Sequence, residues 1–71
     1  DDALLTGVLI KLFADRQIAP NPDTIPYLAR RMDRSFDTAR EVVAMLDATA
    51  LEEGRAVTRA LAAQVLDKLA H

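Results

Sequence analysis

Between Ser35 and Gly54 the apolar residues Phe36, Ala39, Val43, Leu46 and Ala50 recur at spacings of three and four, with Val42, Met45 and Leu51 flanking them. That period lays one apolar stripe along an α-helix, and Arg40, Glu41, Asp47, Glu52 and Glu53 fall mostly on the other side. Ser35 suits the N-cap, where its hydroxyl can accept a backbone N–H left without a partner in the first turn. Asp37 complements the positive end of the helix dipole. Gly54 suits the residue past the end, where a left-handed backbone is cheap only without a Cβ. Phe36 is the largest side chain of the stripe and is expected to anchor it against neighbouring helices. Phe36 and Met45 therefore read as core positions and not as parts of a ligand pocket.

The remaining chain carries three more helical patterns. Leu4, Leu5, Val8, Leu9, Leu12 and Phe13 form a broad stripe over about Asp2 to Arg16, with Asp1 or Asp2 as the cap. Gly7 weakens that helix by about 1 kcal/mol relative to alanine. Pro20 and Pro22 then break the pattern into a loop, from which Ile18 should tuck inward. A second helix capped by Asn21 would hold Pro22 in its first turn but carry Pro26 too deep, so a start at Thr24 fits better. Ile25, Leu28, Ala29 and Met32 supply its inner face, and it ends near Asp33. After the long helix, Arg55-Ala56-Val57 reads as an extended connector. Thr58 then caps a last helix with Leu61, Ala62, Val65, Leu66 and Leu69 on one side, and Lys68 near its negative end. The expectation is one all-α domain spanning residues 1–71, a four-helix bundle with short connections, no strand pattern and no internal repeat.

Composition narrows what such a bundle can do. A chain of 71 residues buries about 60% of its unfolded surface, so its core is thin. It has no cysteine, which excludes disulfides and thiolate metal sites and is compatible with a cytoplasmic protein. Its apolar runs are too short to span a bilayer, and no signal peptide is visible. The net charge of -2 provides no broad basic footprint, so strong direct binding to nucleic acid is not expected. Two distant glycines make no phosphate loop, and the one histidine, His71, stands at the frayed end, where a metal site or a triad is improbable. Catalysis by this chain alone is not expected, and no cofactor is assigned to it. The start at Asp1-Asp2, without Met and directly into a helical pattern, suggests a piece of a longer protein.

One cluster stands out. Arg30, Arg31, Arg34 and Arg40 straddle the start of the long helix. Guanidinium groups bind phosphate well, and a helix N-terminus also attracts anions. The alternative is a solvated surface, with Asp33, Asp37 and Glu41 interleaved to pair with the arginines.

The run LIKLFADRQI, the helix ending YLARRMDR, the long helix and then EEGRAVTRALAAQVL form an ordered set over nearly the whole chain. The pattern Arg31-Met32-Asp33-Arg34, followed by a long helix and Gly54-Arg55-Ala56-Val57-Thr58, resembles the lid subdomain of DnaA-type AAA+ ATPases. Among these it is most similar to the alphaproteobacterial Hda group of DnaA-homologous regulators of replication initiation. The resemblance implies a lid that packs on its own AAA+ nucleotide-binding domain and closes over an adenine nucleotide bound by the parent protein. It further implies a cytoplasmic parent that works with the DNA sliding clamp to promote hydrolysis of ATP on the DnaA initiator. The family's sensor-2 arginine, which reaches the phosphates, falls in register on Asp37, with Arg40 about one turn later. Arg34, Asp37 and Arg40 are therefore the candidate nucleotide-contacting positions, and the carboxylate at Asp37 departs from the family pattern. Two other readings are a stand-alone helix-turn-helix DNA-binding module, from the short turn between the second and third helices, and a helical protein-interaction module. The apolar character of the third helix weighs against groove reading, which needs polar and basic side chains along its length.

Overall fold

The computed structural model describes residues 2–70, which form four helices: α1 (Asp2–Asp15), α2 (Thr24–Arg31), α3 (Phe36–Glu53) and α4 (Arg59–Ala70). α2 takes the later of the two starts open to it, so Pro26 lies in its first turn, where its missing N–H costs nothing. The expected caps hold. The Ser35 hydroxyl accepts from the Thr38 N–H at 3.2 Å, and the Thr58 hydroxyl accepts from the Leu61 N–H at 3.2 Å. Gly54 takes the left-handed conformation, φ 63°, and ends α3. Asp2 is the first helical residue of α1. The alternative cap at Asp1 and the terminal His71 lie outside the described residues.

α1 packs on α2 and α3, and α4 packs on α3 and α2, so the four helices form a closed ring in cross-section. α2 and α3 are joined by only four residues yet do not pack on each other; they are the diagonal pair. Cross-helix ion pairs give the directions. Arg34, just before α3, pairs with Asp2 at the start of α1, and Arg16, just past α1, pairs with Asp47 late in α3 at 2.8 Å. α1 and α3 therefore run parallel, and their N-terminal ends share one pole of the bundle. The link at the other pole comes from the Asn21 N–H, which donates to the Val57 carbonyl at 3.0 Å and ties the two loops together.

The core lies inside this ring: Leu5, Leu9 and Phe13 of α1, Leu28 and Ala29 of α2, Ala39, Val42, Val43 and Leu46 of α3, and Leu61, Ala62 and Val65 of α4. Met32 and Val57 join it from the connections, and Ile18 packs against it from its loop as expected. Burying this apolar surface is what drives the helices together.

Three apolar residues expected in the stripes lie elsewhere. Phe36, expected to anchor α3, is 47% exposed. It shares the inward side of α3 with Val43, but it is the first residue of the helix, at the end of the bundle, where less of the chain is left to cover it. Periodicity reports direction around a helix axis, not how far along it the neighbours extend. Leu51 is 78% exposed because at 100° per residue it points well away from Val42, Val43 and Leu46. Leu4 is 58% exposed for the same reason, one residue before the buried row that begins at Leu5.

Candidate functional site

The four arginines flank the four-residue connection between α2 and α3. Met32 ends α2 in an extended conformation, φ -86° and ψ 161°, with its N–H still bonded to the Leu28 carbonyl. Ser35 is extended again, φ -101° and ψ 133°, and its hydroxyl opens α3. Met32 is buried beneath this turn and pins it to the core. Arg30 and Arg31 stand at the end of α2, Arg34 in the turn and Arg40 in the second turn of α3.

Three of these arginines have partners. Arg34 meets Asp2 of α1, Arg40 meets Asp37 one turn earlier on α3, and the Arg31 guanidinium lies over the Tyr27 ring, 5.1 Å from its centroid. Arg30 makes no ion pair among the described residues. Of the interleaved carboxylates expected to neutralise the cluster, Asp37 does so, whereas among the described residues Asp33 and Glu41 make no ion pair. Both pairs involving the candidate residues are exposed. Such pairs contribute about 0–1 kcal/mol, so a stronger anionic ligand could displace Asp37 from Arg40 at little cost. The Thr38 N–H is already taken by Ser35, and the Asp37 carboxylate stands over the same helix end, so an anion arriving there meets a competitor.

Arg34, Asp37 and Arg40 are all exposed. Among the described residues, clefts open elsewhere on the bundle, and three of them are lined without Arg34, Asp37 or Arg40. The nearest, of about 330 Å³, runs between the α2–α3 turn and the end of α4, over Met32, Leu66 and Leu69 with Arg31, Asp33 and Glu41 at its edge. The structure thus brings Arg34, Asp37 and Arg40 to one pole without enclosing them. It also supplies two partners that sequence reasoning missed, Asp2 for Arg34 and Tyr27 for Arg31. Tyr27 is four residues before Arg31, a spacing at which helix neighbours meet, so that contact was open to a sequence reading. Asp2 is far away in sequence, and only the packing of α1 on α3 reveals it.

Among the described residues, no three His, Cys, Asp or Glu side chains lie together as metal ligands, and no helix is long and apolar enough to cross a membrane. No known protein family, curated protein or solved structure matches this chain.

Proposed function

We propose that this bundle is the lid subdomain of a DnaA-type AAA+ ATPase, in an Hda-like regulator of chromosomal replication initiation. The observation that carries the reading is the pole shared by the starts of α1 and α3. There Phe36, 47% exposed, stands next to Asp37 at the start of α3, with Arg34 and Arg40 also exposed. A large aromatic left half-bare next to a displaceable guanidinium suits a surface that an adjoining nucleotide-binding domain covers. In this reading the parent protein binds an adenine nucleotide, the lid closes over it, and Arg40 takes the place of the arginine missing at position 37. The catalytic machinery and the contacts to the sliding clamp and the DnaA initiator belong to other parts of the parent. A helix-turn-helix role is less well served. α2 and α3 do not pack together, and the outer side of α3 carries Asp37, Glu41 and Glu52.

The test uses the full-length protein and its nucleotide dissociation constant. Arg40→Ala should weaken binding by more than the ~0.2–1 kcal/mol typical of an exposed pair. Asp37→Arg should strengthen it, because a carboxylate repels phosphate where a guanidinium attracts it. Unchanged affinity in both variants would exclude this pole from the nucleotide site.

A further inference from the structure

We infer that Asp2 makes an autoinhibitory contact: it occupies Arg34 in place of an incoming phosphate, and its displacement loosens the start of α1. The inference rests on the lid reading for the identity of the anion, the phosphates of a nucleotide. Two of the three candidate positions are guanidinium groups, and each is held by a carboxylate of the same chain. Arg40 is held by Asp37, and Arg34 by Asp2 at 2.5 Å. Carboxylate and phosphate oxygens match the same fork of N–H donors. An anion therefore reaches either arginine by replacing a carboxylate.

The two pairs differ in what their loss does. Asp37 and Arg40 lie three residues apart on α3, so parting them changes one helix surface. Asp2 and Arg34 join separate elements, the first residue of α1 and the connection between α2 and α3. Asp33, next to Arg34 in sequence, makes no ion pair among the described residues, so the packing sets this contact and not the local sequence. Ahead of Leu5, the first buried residue of α1, Asp2, Ala3 and Leu4 are all exposed. The first turn has little burial to hold it, and the pair with Arg34 anchors it to the rest of the bundle.

The contact is weak enough to be displaced. Its side chains are well exposed, Arg34 at 59% and Asp2 at 55%, and an exposed pair changes an equilibrium by a factor of about 1.4 to 5. A phosphate group that carries more charge than a carboxylate wins at Arg34. The coupling is reciprocal: the factor by which a bound anion weakens the hold on Asp2 is the factor by which Asp2 weakens the anion.

Pyrophosphate, titrated into this chain at constant ionic strength and followed by NMR, tests the contact. The Arg34 side-chain N–H signal should shift. The amides of Thr6 and Gly7, which in the helical pattern bond back to Asp2 and Ala3, should exchange with solvent about 1.4- to 5-fold faster at saturation. Asp2→Asn should give the faster exchange without pyrophosphate and bind it about 1.4- to 5-fold tighter. Arg34→Ala, which leaves the Asp2 charge on the helix dipole, should speed exchange as much, and in that background Asp2→Asn should no longer alter the affinity. Asp33→Asn removes the same charge beside Arg34, and should tighten binding less and leave exchange unchanged. An equal gain in affinity from Asp33→Asn overturns the inference. So does exchange at Thr6 and Gly7 that ignores pyrophosphate, or an Arg34 signal that pyrophosphate leaves in place in both the wild type and Asp2→Asn. Each of those results leaves the lid reading to its own test, the nucleotide affinity of the full-length protein with Arg40→Ala.

Discussion

Thr24 has no exposed surface, and its hydroxyl makes no hydrogen bond although its backbone N–H is bonded to the Asn21 carbonyl. A buried polar group without a partner costs about 1–3 kcal/mol, and a side chain of the same shape without the hydroxyl escapes that cost. Thr24→Val should therefore stabilise the chain by about 1 kcal/mol or more, seen as a higher urea midpoint at an unchanged slope. A lower midpoint would mean that the hydroxyl is satisfied in solution. Phe36 tests the opposite kind of residue. Phe36→Ala should cost the isolated chain less than about 1 kcal/mol, whereas Phe13→Ala, at a side chain 1% exposed, should cost about 3–5 kcal/mol. Equal losses from the two would show that Phe36 is buried in solution. Both Phe residues look alike in the sequence pattern, and what separates them is their position along the bundle. The same limit applies to the arginines: the Asp37–Arg40 pair was legible from its three-residue spacing, but the Arg34–Asp2 pair required the fold.

At the level of the elements, helix ends were the most readable feature where their chemistry is specific. Ser35, Thr58 and Gly54 each do what their residue type suggests. The end of α1 carries no such sign. There Gln17 takes a left-handed backbone, φ 59°, the Ile18 N–H donates to the Phe13 carbonyl and the Gln17 N–H donates to the Ala14 carbonyl, both at 2.9 Å. This is the hydrogen-bond pattern of a Schellman end, with Ile18 folded onto the core, but a glutamine stands where glycine is usual. A left-handed residue with a Cβ costs about 1–2 kcal/mol, of which glycine's greater freedom in the unfolded chain takes back about 0.5–1. Gln17→Gly should therefore raise stability by about 0.5–1 kcal/mol, and Gly54→Ala should lower it by about 1 kcal/mol. Thermal melts of the two variants check this, and shifts of the same sign would contradict it. Gly7 is neither left-handed nor crowded. Gly7→Ala should add about 1 kcal/mol.

Across the whole molecule, the class of fold was legible, whereas the way its helices pair was not. Periodicity identified four helices and most of their buried sides, because only a helix places residues three and four apart on one face. It could not report that α1 lies beside α3 or that α2 and α3 sit diagonally, because those choices depend on contacts between distant segments. The same contacts decide what holds the bundle together. Its ion pairs lie at the surface, and even Asp47, bound to Arg16 across α1 and α3, keeps 27% of its side chain exposed. A domain of this length has a total stability of about 4–11 kcal/mol. Exposed pairs give about 0–1 kcal/mol each and are screened at about 1 M salt, where the Debye length falls to about 3 Å. Removing the Leu46 side chain from the centre of the ring instead costs about 2–5 kcal/mol. Urea unfolding with and without about 1 M NaCl should therefore differ by less than the loss of about 2–5 kcal/mol from Leu46→Ala, which should be similar in either buffer. A salt effect as large as the Leu46→Ala loss would transfer the stabilising role from the apolar ring to the cross-helix pairs. In that case Arg16→Ala and Asp47→Ala, measured singly and together, would reveal the coupling between α1 and α3 directly.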